Sequence, residues 1–167
     1  LASDICSDIN MPPFDKSAVD GYACRKDDLQ SDLKLIEVIP AGQMPTKEVV
    51  EGTCSKIMTG APIPKGADCV VMVEEVKELD NDFIRFTGKY SKTNIARFAE
   101  DVKEGDVVLK KGIVIEPQHI AILAAVGASS LPVAAQPKVS ILITGDELVE
   151  PEVKPEHSQI RNSNGHQ

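Results

Sequence analysis

The chain has 167 residues, enough for one ordinary domain or two small ones, and its 42% hydrophobic and 26% charged content is that of a globular protein. A net charge of −8 speaks against nucleic acid as a general partner, because phosphate binding rewards a basic stripe. No membrane-spanning run is present either: the longest apolar stretch, 120–135, is broken by Gly127, Ser129, Ser130 and Pro132.

In chain order, the first notable segment is MPPFDKSAVDGYA (11–23). Its carboxylates suit a solvated loop, yet Phe14, Val19 and Tyr22 suit a buried one. The reading that reconciles them is a loop anchored by those three side chains so that Asp20 projects outward. Residues 35–39 then read as a strand closed by Pro40-Ala41-Gly42, and 54–58 as another. The stretch 59–66 carries two Gly and two Pro in eight residues and must be irregular. Residues 69–74 (CVVMVE) are strongly β, 76–82 read as a charged exposed hairpin loop, and 83–86 alternate as a half-buried strand does. Residues 107–109 and 113–115 read as a hairpin joined by Lys110-Lys111-Gly112. About six short strands between 35 and 115 point to a small barrel or a pair of packed sheets.

The texture then changes. Pro117 is placed to open a helix with Ile120, Leu123 and Ala124 as its buried stripe, and Gly127 to close it in the left-handed conformation. Residues 139–143 (VSILI) are nearly all apolar, as in a strand buried on both faces of a parallel sheet. The polar turn Thr144-Gly145-Asp146-Glu147 follows, at the carboxyl end where α/β sheets place ligands. Twenty residues after Glu147 are too few for such a sheet, so this reads as the opening strand of a domain continued elsewhere.

Cys6, Cys24, Cys54 and Cys69 form no C-x-x-C and have no neighbouring His, which argues against zinc. Without a signal peptide or glycosylation sequon, the expectation is reduced thiols in a cytoplasmic protein. The candidate site residues are polar groups beside glycines. Asp20 before Gly21 suits either a ligand site or an Asx-turn. Thr59 and Gly60 offer a hydroxyl and amides to an oxyanion, or form a plain β-turn. Asp101 follows Glu100 in a loop. Asp146 and Glu147 either face a ligand or cap a following helix. Lys16 supplies a cation or pairs with Asp15, and Ser17 stands beside it. His119 reads as a surface or core residue of the helix, while His157 and His166 fall in a loop.

Four segments in order, PPFDKSAVDGYA (12–23), KIMTGAPIPKGADCVVMVEE (56–75), NIARFAEDVKEGDVVLKKG (94–112) and VSILITGDELVEP (139–151), followed by IRNSNG (160–165), closely resemble the molybdenum insertase family. That family takes in bacterial MoeA and the E domain of gephyrin. The resemblance implies a mixed α/β architecture. A β-rich, barrel-like lobe (16–92) would be inserted in a small discontinuous α/β domain (1–15 and 93–137). The first strand of a truncated doubly wound molybdopterin-binding domain (138–167) would follow. It implies a cytoplasmic homodimer that inserts molybdate into adenylated molybdopterin (molybdopterin-AMP) with Mg²⁺-dependent hydrolysis of the adenylate. The fragment alone is expected to be inactive. Carried over by motif, Asp20, Thr59, Asp101 and Glu147 are the catalytic candidates. Lys16, Ser17, Gly60, Arg97 and Gly145 would bind substrate or oxyanion, and Asp146 a metal. One departure stands out: the family's arginines and glycine before the acids are replaced by Ala96-Arg97-Phe98-Ala99, leaving Arg97 as the remaining cation. A gephyrin-like scaffold without its own catalysis is the alternative.

Overall fold

The computed structural model describes residues 1–89 and 92–166. It divides into two compact units, 1–132 and 133–167. In chain order the first unit contains β1 (Ile5–Cys6), β2 (Lys16–Ser17), β3 (Gly21–Cys24), β4 (Asp32–Ile39), β5 (Thr53–Ile57), β6 (Cys69–Met72), β7 (Val76–Glu78), β8 (Phe83–Phe86), β9 (Ile95–Ala96), β10 (Val107–Leu109) and the helix α1 (Pro117–Ala125).

Six of these strands form one curled, half-barrel sheet in the order β6-β3-β5-β4-β8-β7. All neighbours are antiparallel except β4 and β5, which run parallel. The strand β3 is the correction of most consequence. Gly21, Tyr22 and Ala23 fall within the segment 11–23 that reads as a loop and include no β-branched residue, yet Gly21–Cys24 form a strand in which every residue is buried. Tertiary position overrides weak local propensity here, because β3 lies between β5 and β6 and is packed on both faces. Tyr22 and Cys24 enter one cluster with Leu33, Cys54, Cys69 and Ile84; Ala23 enters the other with Ile39, Ile57, Val70 and Ile95. The charged stretch 76–82 also differs from expectation: its first three residues are β7, and only the rest is the hairpin turn to β8.

All four cysteines are free. Cys24 is in register with both Cys54 and Cys69, so three buried thiols lie in a row across β5, β3 and β6. Burial pushes the Cys54 thiol up to about 12, and the Cys69 sulfur 3.6 Å away, then burial, raises that of Cys24. Thiols held in the neutral form are poor nucleophiles and poor metal ligands.

A third cluster gathers Ile5, Leu109, Leu123 and Val126. The hairpin expected over 107–115 does not form. β10 pairs with β1 instead, the Gly112 N–H donates to Leu1 O (3.0 Å), and the Leu1 ammonium donates to Ile113 O (2.7 Å). The chain's first residues take the hydrogen-bonding positions that a local hairpin would have used. Helix α1 does start on Pro117 and end at Gly127 (φ +71°). Bonds from Ala128 N–H to Leu123 O (2.9 Å) and from Gly127 N–H to Ala124 O (3.3 Å) complete a Schellman cap. His119 serves the other end, its Nδ1 accepting the Glu116 N–H at 3.1 Å. The buried stripe is narrower than expected: Leu123 is 3% exposed, whereas Ile120 is 54% exposed and Ala124 is also exposed.

In the second unit, β11 (Leu148–Val149) pairs in parallel with β12 (Ile160–Arg161). The strand expected over 139–143 is not formed, and Val139, Ile141 and Leu142 are exposed. Such an apolar run becomes a strand only with ladder partners on its flanks, and no described residue pairs with it. Among the described residues, no helix is long and apolar enough to cross a membrane.

Candidate functional site

Asp20 is the residue immediately before β3, so it stands where β5 and β6 leave the sheet. Its carbonyl accepts the Val73 N–H (3.2 Å), and its carboxylate faces Thr59 just beyond β5. Both the Thr59 N–H and the Thr59 hydroxyl donate to Asp20 Oδ1, each at 2.7 Å. These bonds, the hydroxyl's first, hold the Asp20 carboxyl below the usual carboxylate range. One oxygen is thereby fixed by two donors, and the side chain is exposed. The structure thus brings two of the four catalytic candidates into direct contact.

The loop leading to Asp20 is held on both sides. β2 pairs with β9, Lys16 opposite Ala96 and Ser17 opposite Ile95. On its other side the Ser17 N–H donates to Ala61 O (3.0 Å), and the Gly60 N–H donates to Ser17 O (2.8 Å). This changes the roles of two candidates. The Ser17 hydroxyl is buried and donates to Val19 O (2.5 Å), so it shapes the turn. The Gly60 and Thr59 amides, expected to be free for an anion, are already donated within the protein. Asp15 pairs with Arg97 (2.7 Å) and not with Lys16. No carboxylate among the described residues lies within ion-pair distance of the Lys16 ammonium, which leaves it available to an anion.

Arg97 differs from expectation in the same way: its guanidinium is already neutralised by Asp15. Asp101 is exposed, with its N–H donated to Met11 O (2.9 Å). It lines an open groove of about 680 Å³ with Met11, Val102 and the α1 residues Ala121, Ile122 and Ala125. Its link to the Asp20–Thr59 pair runs through the 11–20 segment, not through a shared hydrogen bond. Of the expected anchors, Tyr22 is buried and Val19 packs on the second cluster, but Phe14 is 39% exposed.

Two contributors escaped sequence reasoning. Asn94, at φ +49°, donates its Nδ2–H to Val70 O (2.8 Å) while its carbonyl accepts the Ala18 N–H (2.9 Å). Asparagine tolerates that left-handed geometry, and its residue type is the one signal of it in the sequence. Asp15 carried no signal of its own. Ala99 also acquires a meaning. Ala99 sits at φ +56°, where a Cβ is strained. Ala99→Gly is therefore expected to raise the unfolding midpoint by about 1–3 °C. An unchanged or lowered midpoint in thermal denaturation would contradict that strain.

In the second unit, Gly145, Asp146 and Glu147 form a turn closed by Leu148 N–H donating to Gly145 O (3.1 Å). A β-strand follows, not a helix, so neither acid is a helix cap. The Glu147 carboxylate folds back over Gly145, where a Cβ would meet Glu147 Oε2 at 2.5 Å. Asp146 is exposed. Magnesium requires several oxygen ligands in near-octahedral array. Among the described residues no group of three or more His, Cys, Asp or Glu side chains is placed to hold a metal.

Comparison with known proteins gives a consistent result. Residues 1–127 match the family described as the MoeA N-terminal region (domain I and II). The molybdopterin molybdenumtransferase of Staphylococcus aureus is 43% identical over 172 residues, covering 99% of this chain and 41% of that protein. The protein of the same name from Staphylococcus epidermidis is 41% identical over 173 residues, with the same coverage of 99% and 41%. The crystal structure of the molybdopterin biosynthesis moeA protein from Pyrococcus horikoshii OT3 shares 41% identity at a TM-score of 0.82, covering 98% of this chain and 46% of that one. The chain thus spans about two-fifths of the length of the curated relatives it matches.

Proposed function

The chain belongs to the family of the MoeA N-terminal region, and from that premise we propose that it works in molybdenum cofactor biosynthesis as part of a molybdopterin molybdenumtransferase. The observation that carries this reading is the Asp20–Thr59 pair at the exit of the sheet, a carboxylate held by two donors on one oxygen and open at the other. The reactants are molybdate and adenylated molybdopterin, and the adenylate is hydrolysed as molybdenum is transferred to the pterin. Both reactants are anions. An ionised carboxylate among them serves to orient water or a cation rather than to bind the anions directly. Lys16 supplies the unpaired positive charge next to that carboxylate's loop. Magnesium would add charge neutralisation at the phosphoanhydride.

Three lobes follow in this reading. Residues 1–15 and 93–137 make a discontinuous α/β domain, consistent with the separate cluster around Leu109 and Leu123. Residues 16–92 are the inserted β-rich lobe. Residues 138–167 open the molybdopterin-binding domain, whose Gly145–Glu147 turn brings Glu147 to the substrate. The working protein is a cytoplasmic homodimer, and the 167-residue piece by itself is inactive. The test is AMP release and formation of active cofactor by the full-length protein supplied with adenylated molybdopterin, molybdate and Mg²⁺. Activity in the wild type and its loss in Glu147→Ala are expected. A folded but inert wild type would overturn the reading in favour of a gephyrin-like scaffold.

A further inference from the structure

We propose that Asp15 is the positioning residue of this site: it joins the three loops that carry Asp20, Thr59 and Asp101, and through the 97–101 loop it sets where Asp101 stands. The inference rests on the function proposed above. Asp15 is contacted from two directions. Its backbone carbonyl accepts the Ile63 N–H (2.9 Å), which ties it to the loop after β5. Its carboxylate accepts the Phe98 N–H through Oδ1 and Arg97 Nη1 through Oδ2, both at 2.7 Å. The remaining ties of the 97–101 loop lie close by. Glu100 Oε2 accepts the Arg97 N–H (2.5 Å), the Ala99 N–H donates to Pro12 O (2.9 Å), and the Asp101 N–H donates to Met11 O (2.9 Å).

Among these ties Asp15 is the side chain that reaches across from a different loop. It contacts residues 82 and 83 positions away in the sequence. Its carboxyl lies below the ordinary range, chiefly through the Phe98 amide and then Arg97. The carboxylate is therefore charged, and both hydrogen bonds persist, throughout the neutral range. The pair is partly exposed, so its contribution to global stability is small. Its effect is local. Without Asp15, the Phe98 amide and the Arg97 guanidinium lose their acceptor, and the loop rests on backbone bonds and Glu100 alone. Arg97 then has a purpose that does not involve an oxyanion: its charge is spent on this clamp.

A positioning role predicts a specific pattern of non-additivity. In the full-length protein, Asp15→Ala is expected to lower kcat/KM by about 10–100-fold, the scale of a displacement near 1 Å. The unfolding midpoint should hardly move. The Asp15→Ala/Asp101→Ala double variant should be no slower than Asp101→Ala alone, because what Asp15→Ala removes is the placement of Asp101. Asp15→Asn, which keeps an oxygen for the Phe98 N–H but loses the charge facing Arg97, should fall between wild type and Asp15→Ala. It also serves if the alanine variant does not fold. Multiplying losses in the double variant, or full activity in Asp15→Ala and Asp15→Asn, would overturn the proposal. Amide hydrogen exchange separates it from the functional reading. Phe98 and Asp101 should exchange faster in the Asp15 variants while β3 and β5 stay protected, whether or not the protein inserts molybdenum. Unchanged exchange at Phe98 would refute the positioning role on its own.

Discussion

Asp20→Asn is expected to lower molybdenum insertion by about 10²–10³-fold in the full-length protein, with folding and unfolding midpoint retained. The substitution isolates charge from shape. An asparagine side-chain oxygen can accept the same two Thr59 donors that now fix Oδ1, so the clamp between the loop before β3 and the loop after β5 survives. What changes is the second oxygen, which becomes an NH₂ donor and can no longer accept a proton or ligate a cation. Because the Thr59 bonds depress the Asp20 carboxyl, the wild-type group is ionised at and above its ordinary range and loses its charge only as the pH falls through its lowered value. Activity should accordingly show no step from Asp20 between pH 5 and 8. Steady-state assays of AMP release across that range check both points. Wild-type rates in Asp20→Asn would remove this residue from the site.

Gly21→Ala is expected to cost about 3 kcal/mol or more of stability, a large fraction of what a domain of this size has. Gly21 is not needed for an unusual dihedral, since its φ is not in the left-handed region. It is needed for space. A Cβ there would lie 2.0 Å from Val71 O and 2.9 Å from Val70 Cγ1. The first contact is with backbone inside the sheet, so relieving it means moving β6 away from β3. That would strain a register maintained over four residue pairs and open the cluster that contains Val71. Urea denaturation measures the effect, and a midpoint near that of wild type would show that β6 can shift at little cost. The glycine of the D-G-Y-A stretch is therefore a packing requirement of the central strand, one residue from the carboxylate it helps to place.

Several features were legible in the sequence because their causes are local. Pro117 at the first helical position and Gly127 past the last turn mark α1 by the conformations those residues favour. The alternation of 83–86 and the apolar run from Cys69 are periodicities within one strand. The irregular stretch from Thr59 followed from its prolines and glycines, and the family's motifs placed Asp20 and Thr59 among the candidates.

Other features depended on partners far along the chain. GYAC became the most enclosed strand only because β5 and β6 flank it, a fact carried by residues 54–57 and 69–72. The expected hairpin gave way to β1, about a hundred residues upstream. The same holds for the site. Whether a hydroxyl, amide or guanidinium is free for a ligand depends on which acceptor the fold places beside it. Ser17, Gly60 and Arg97 had each been claimed by Val19, Ser17 and Asp15. Residue type and spacing thus determined which chemistry the chain carries, since side-chain functional groups and short-range backbone preferences are properties of the residues themselves. Tertiary structure alone decided which of those groups remain unpaired, because a hydrogen bond between residues 39 or 83 positions apart leaves no periodicity in the sequence.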